Sequence, residues 1–149
     1  MKLLGKVLDT FSAKKDSVSS MPRPRVEFLN LIKDYGIEFD KFAQKDLDKT
    51  VMILGIDSYN LAKSKDINLE YGSLGENLLF SFNPHEFELG TQFIIGDAII
   101  EITEKCTICN HLSVFHKKLP KTVKDCRGLY CKIINSGSIK KDLPIYLKD

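Results

Sequence analysis

The apolar residues of this chain fall in short, β-branched runs, and glycine, proline or aspartate interrupts each one before a helical period can develop. That pattern constrains the fold most. Gly5 to Ala13 alternates well enough for a strand, and Lys14 to Ser20 reads as a polar loop. Two prolines in MPRPR forbid a helix interior there and favour extended backbone. Val26 to Ile32 reads as a second strand, Asp34 to Lys49 as a charged loop, and Thr50 to Leu54 as a short buried strand ended by Gly55. Asp57 or Ser58 is then expected to cap a helix running from Tyr59 to Ser64.

The second half reads mostly as sheet. Phe93 to Ile95 and Ala98 to Thr103 flank Gly96-Asp97, a hairpin signal. Cys106 to Lys118 is expected to hold a short helix or an ordered loop. Gly128 to Asn135 reads as a strand, Ser136-Gly137 as a turn, and Leu143 to Leu147 as a closing strand. Many short strands, one or two helices and no βαβ alternation predict a mainly β fold, a closed or half-closed barrel. At 149 residues the chain has the length of one domain and needs no disulfide or metal to hold a core.

Several function classes drop out on composition. A net charge of +2 is too mild to argue for nucleic acid. No stretch approaches the ~18 apolar residues of a membrane span. MKLLGKVLDTFSAKK makes a poor signal peptide, because Lys6 and Asp9 break its apolar runs. The expected compartment is the cytoplasm, with thiols rather than disulfides. There is no phosphate-binding P-loop, no dinucleotide-binding glycine pattern and no serine nucleophile elbow. Among 22 basic side chains only Arg23, Arg25 and Arg127 carry the planar fork that suits bound carboxylate or phosphate.

Three features could carry chemistry. Cys106 and Cys109 in CTIC, with Cys126 and Cys131 in CRGLYC, have the spacing of two knuckles for a tetrahedral zinc, with His111 and His116 as substitutes. In a competing reading Cys131 is a small hydrophobe on a buried strand, and Cys109 is a reactive thiol. A helix beginning near Asn110, with Lys105 and His111 nearby, would favour its thiolate. Such a thiolate could attack a sulfur donor, hold a persulfide or ligate a soft metal. The second feature is GSLGENLLF, residues 72 to 80, where backbone amides near Gly75 could approach an anion and Asn77 offers donor and acceptor. The alternative is a turn with Glu76 in solvent. The third is Arg127-Gly128 at the mouth of a strand.

Taken in order, GIEFD (Gly36 to Asp40), GSLGENLLF, LGTQFIIGDAIIEIT, a cysteine eight residues beyond Glu101, and RGLYCKIINSGSIKKDLPIYL resemble the MOSC domain family. MOSC denotes the molybdenum cofactor sulfurase C-terminal domain. The resemblance runs from about residue 5 to residue 147, essentially the whole chain, and is to the small stand-alone bacterial members. It implies a single domain, residues 1 to 149, with a β-barrel-like fold. It also implies binding of molybdenum cofactor (molybdopterin), or sulfur carried as a persulfide for metal-sulfur centres. A protein that purifies without cofactor is compatible with it.

The resemblance assigns the family cysteine to Cys109, as sulfur carrier or molybdenum ligand, with Cys106 as a resolving thiol. Gly75, Glu76, Asn77, Arg127 and Gly128 fall on its other characteristic positions, with Lys49 as a further cofactor-binding side chain. Implied activities are sulfur transfer or a molybdenum-cofactor-dependent reductase component. The implied setting is a pyridoxal-phosphate-associated family whose partners are a cysteine desulfurase or molybdenum-cofactor biosynthesis proteins. Two positions depart from the pattern. Phe39, Asp40, Lys41 and Phe42 stand where many members have glycine, aspartate and a histidine. Lys49 replaces an arginine, keeping charge but not bidentate geometry. Asn77, read as partly exposed, is expected to tolerate alanine with a loss of roughly 1 kcal/mol.

Overall fold

The computed structural model describes residues 1–14, 22–107 and 110–149. Its strands are β1 (Lys2–Thr10), β2 (Phe28–Ile32), β3 (Gly36–Ile37), β4 (Val51–Gly55), β5 (Leu78–Phe80), β6 (Gln92–Ile95), β7 (Ala98–Lys105), β8 (Leu129–Asn135), β9 (Gly137–Lys140) and β10 (Pro144–Leu147). Two α-helices are described, α1 (Ile56–Ser64) and α2 (Leu119–Thr122). Seven strands close a barrel in the order β1-β10-β6-β7-β8-β4-β5, returning to β1, so the barrel has no open edge. Within it β4 and β5 pair in parallel and every other pair is antiparallel. A small sheet, β3-β2-β9, packs beside the barrel.

The mainly β expectation holds, and period-two alternation explains how these residues build it. Val51 and Ile53 of β4, with Leu78 and Phe80 of β5, join one apolar cluster with Phe93, Ile100, Ile102 and Cys131. Leu54 and Leu79 point the other way, into a second cluster with Tyr59 and Ala62 of α1, Leu119 of α2, and Leu74. Both faces of β4 and β5 are thus covered, which is why these strands read as unbroken apolar runs. Leu29, Leu31, Ile37 and Ile139 bring the small sheet into the first cluster. The β6–β7 hairpin turns at Gly96-Asp97, with Gly96 at φ +61°. A positive φ at the first turn position is the conformation glycine supplies without strain.

Several local expectations are corrected. The first strand begins at Lys2 and ends at Thr10. Helix α1 begins at Ile56, with Gly55 in extended conformation as its N-cap and no side-chain cap bond; Asp57 and Ser58 lie inside its first turn. The Ser58 hydroxyl instead donates to the Cys126 carbonyl at 2.7 Å. The charged stretch 34 to 49 contains β3 and a 3-10 turn at Leu47–Lys49. Gly137 opens β9 rather than closing a turn, because β9 is recruited as a partner for β2. Of 106 to 118, the described part holds a 3-10 helix at Asn110–Val114. Among the described residues no helix is long and apolar enough to cross a membrane.

Candidate functional site

Where the end of β7, the start of β8 and the first residues of β4 meet, the chain encloses a cavity of about 400 Å³. Thr50 and Met52 reach it from β4 and the residue before it. Gly75 and Asn77 reach it from the segment before β5, Cys106 from just beyond β7, and Arg127 and Tyr130 from the start of β8. Loops add Arg23, Phe42, Lys45 and Asp46, and two 3-10 turns add Lys49 and His111.

Arg127 is 2% exposed and its guanidinium is built into the wall. Nη1 donates to the Leu74 carbonyl, and Nη2 donates to His111 Nε2 at 3.1 Å. Since arginine cannot accept, His111 must, which makes it the neutral Nδ1–H tautomer. Burial, and then the Arg127 charge, lower the His111 pKa and hold it neutral. Gly128, at φ +134°, donates its N–H to His85 Nε2 at 3.1 Å, and its carbonyl accepts from the Cys106 N–H at 2.9 Å. Gly128 thereby ties Cys106 to the base of β8 without itself lining the cavity.

The Gly75-Glu76-Asn77 tripeptide works differently from a set of ligand-facing side chains. Glu76 is fully buried behind the cavity, not in solvent. Its carboxylate accepts from Tyr59 Oη at 2.6 and 2.8 Å and from the Gly72 N–H at 3.0 Å. Burial pushes the Glu76 carboxyl pKa up, against the pull of the Tyr59 hydrogen bond. Asn77 lines the cavity, yet its Oδ1 accepts from the Met52 N–H at 2.9 Å and its Nδ2 donates to the Phe11 carbonyl at 3.1 Å. Asn77 is therefore a buried cross-link between β4 and the end of β1, not the partly exposed group expected. Of the tripeptide, Gly75 has no side-chain role and sits in the cavity at φ +86°.

Lys49 stands at the rim, 41% exposed, with Nζ 2.8 Å from Glu104 Oε2. The Glu104 hydrogen bond and charge raise its pKa. Arg23 lies deeper, with its side chain 11% exposed and its Cζ 4.9 Å from the centroid of the Phe42 ring. Its Nε and Nη1 have no hydrogen-bond partner, and its pKa is lowered by burial. Cys106 is buried at the cavity, its Sγ 3.4 Å from Tyr130 Oη. Burial, then the Cys106 contact, push the Tyr130 hydroxyl up to about 12.

The predicted site residues Cys106, Lys49, Gly75, Asn77 and Arg127 converge on this one cavity; Glu76 and Gly128 stand behind it. Cys109 lies outside the described residues. Cys106 and His111, three residues before it and two after it in sequence, both line the cavity. The zinc reading finds no support. Cys131 is buried in the first apolar cluster while Cys126 packs against the second. Among the described residues no group of His, Cys, Asp or Glu could hold a metal. Arg23, Phe42, Met52 and Tyr130 were not assigned from the sequence; the scarcity of arginine was the one signal that marked Arg23.

The fold is similar to that of the YuaD protein from Bacillus subtilis, at 16% identity, with 97% of this chain and 96% of that chain covered and a TM-score of 0.76. It is also similar to YiiM from Escherichia coli (17% identity, 98% and 70% covered, TM-score 0.72). YiiM from Geobacillus stearothermophilus shows a comparable likeness (15% identity, 99% and 75% covered, TM-score 0.70). At these identities the likeness speaks for the fold alone. No curated protein matches the sequence. The model of the MOSC domain matches residues 34–146, which include every cavity-lining residue except Arg23. The chain belongs to the MOSC domain family.

Proposed function

We propose that the cavity binds an anionic cofactor beside a thiol, that the cofactor is the molybdenum cofactor, and that Cys109 is the thiol that carries sulfur or ligates the metal. The observation behind this reading is the gathering of Arg23, Lys45, Lys49 and Arg127 with Cys106 around one cavity. The family's association with molybdenum cofactor binding or sulfur transfer points the same way.

The residues fit such a group in two respects. Arg23 carries buried donors without partners, which an oxyanion would satisfy. The cavity also pairs a soft sulfur ligand with apolar walls from Met52 and Phe42, the combination suited to a sulfur-rich, planar organic cofactor. The group supplies redox-active molybdenum when bound. The chain supplies the rest. Lys49 and Lys45 set a positive potential at the mouth, and Arg127 deepens it from inside the wall. Tyr130, kept protonated, holds a proton next to the Cys106 sulfur. Gly75 leaves the backbone open to close approach.

For sulfur transfer, the Cys109 thiolate attacks the terminal sulfur of a persulfide on a cysteine desulfurase. The donor leaves as thiolate and Cys109 keeps a persulfide. This chemistry suits the cytoplasm, where thiols stay reduced. The test is intact mass spectrometry after incubation with a cysteine desulfurase and cysteine, together with molybdenum content after co-expression with the cofactor pathway. A gain of one sulfur atom in the wild type and none in Cys109→Ser is expected. Neither sulfur gain nor retained molybdenum in the wild type would end this reading.

A further inference from the structure

We propose that Arg23 is the anion receptor of the cavity, recognising the oxyanion head of a ligand whose organic body packs against Phe42 and Met52, whereas Arg127 is a wall member. The proposal rests on the anion-binding part of the reading above, and neither on the identity of the cofactor nor on the thiol chemistry.

The cations around the cavity differ in what their donors already do. Arg127 spends Nη1 on the Leu74 carbonyl and Nη2 on His111. Lys49 is engaged by Glu104. In Arg23 both Nε and Nη1 are buried without a hydrogen-bond partner. The nearest carboxylate oxygen, Asp40 Oδ1, is 4.0 Å from Nη1, beyond hydrogen-bond range. Asp40 is also committed elsewhere: Oδ1 accepts from Ser12 Oγ at 2.6 Å and Oδ2 from the Phe42 N–H at 3.0 Å. Glu76, whose charge also acts on Arg23, is held by Tyr59 and Gly72.

Leaving a buried guanidinium underbonded is costly, so such a group calls for a reason in function. The fold holds it in place despite that cost. The Arg23 N–H donates to the Gly72 carbonyl at 3.1 Å, and Gly72 sits at φ +92°. A Cβ at Gly72 would come within 2.6 Å of the Arg23 carbonyl, so only glycine lets the turn approach this closely. Phe42 then lies against the guanidinium face, and Arg23 lines the cavity with its two unpartnered donors on the edge of the fork that Phe42 does not cover. A planar fork with adjacent N–H groups suits an oxyanion held by two bonds. The volume, about 400 Å³, and the side chains of Phe42, Met52 and Tyr130 call for more than a bare ion. Phosphate, sulfate and carboxylate heads share the required chemistry.

Calorimetric titration of the full chain with inorganic phosphate, sulfate, acetate and phenyl phosphate tests this, with thermal melts of each ligand-free variant. Phenyl phosphate should bind more tightly than inorganic phosphate, and Arg23→Gln should weaken both at least tenfold. Arg23→Lys should recover part of that loss, since it restores charge without the fork. Ligand-free Arg23→Gln should melt at or above the wild-type temperature, because the variant removes an underbonded buried charge, while Arg127→Gln should melt well below it. Unchanged phosphate affinity in Arg23→Gln, or a melting loss as large as that of Arg127→Gln, would overturn the assignment. Equal affinity for phenyl phosphate and inorganic phosphate would overturn the organic body. Arg23-dependent phosphate binding without sulfur or molybdenum loading would sustain this inference and sink the proposed function. Sulfur loading in a wild type that binds none of the anions would do the reverse.

Discussion

The barrel interior and the cavity wall are both shielded from water, but different forces hold them. Inside, fully buried Phe80 and Phe93 pack edge to face among isoleucines and leucines, and half-buried Phe82 and Phe87 pack against them, with ring centroids 5.2 to 6.0 Å apart. Nothing there depends on the direction of a polar atom. In the wall, Glu76, Asn77 and Arg127 are just as buried, and each meets named partners. Volume decides stability in the first region and hydrogen-bond direction in the second. A binding site can be cut into the second because its polar groups are already directed and rigid.

The sharpest break of this contrast is a pair of substitutions. Phe93→Ala empties the centre of the ring cluster and should cost about 4 kcal/mol, most of it recovered by Phe93→Leu. Asn77→Ala removes little volume but strands the Met52 N–H and the Phe11 carbonyl, and should cost about 3 kcal/mol. Urea denaturation of the three variants checks both figures. A loss below about 1 kcal/mol for Asn77→Ala would return Asn77 to the exposed role expected from the sequence.

A subtler effect separates the regions by pH. Burial raises the Glu76 carboxyl above its unfolded value, so the folded protein holds that proton more tightly than the unfolded chain. The resulting stabilisation is complete below the ordinary carboxylate range and is lost as pH rises toward the raised folded value. Glu76→Gln has no proton to lose. The stability of the wild type relative to Glu76→Gln should therefore fall as pH rises from the ordinary carboxylate range toward the raised folded value. A parallel pair of curves in urea denaturation would show that Glu76 titrates alike in both states. The lowered pKa values of His85 and His111 act in the opposite direction in both proteins and cancel in the difference.

The same contrast explains what the sequence could show. Strands β6, β7 and β8 were legible because their β-branched residues alternate and one face goes to a uniformly apolar interior. The all-apolar run at β4 was legible as a buried strand because both of its faces are covered. The wall was not legible in this way. Glu76 reads as a solvated acid until Tyr59, seventeen positions earlier, is folded onto it. Arg23 reads as one of three arginines, and only the fold shows its donors stranded beside Phe42. Gly55 displaced Asp57 as the helix cap because β4 runs straight into α1 with no residue between them. Motif order placed Cys106, Gly75, Asn77 and Arg127 in one site, since it carries the fold with it. The roles of individual side chains depended on partners far away in sequence.

The smallest expected effect leaves stability untouched and compares one residue type across the two regions. Cys131 lies on β8 in the apolar interior, fully buried, and burial drives its thiol pKa well up. Cys106 lies in the cavity wall, with its sulfur 3.4 Å from Tyr130 Oη. Alkylation needs thiolate and access together. Under limited iodoacetamide treatment at neutral pH, Cys131 should react last, at a rate set by unfolding and accelerated by urea. Cys106 should react in the folded protein through the cavity, and Cys109, the reactive thiol expected from the sequence, should react before it. Half-buried Cys126, its thiol also raised by burial, should fall between Cys106 and Cys131. A phosphate ester that fills the cavity should slow Cys106 and leave Cys131 unchanged. Peptide mapping over a time course reads all four rates. Equal rates for Cys106 and Cys131 would mean that reagent reaches the interior as easily as the cavity, and the division between the two regions would fall with that result.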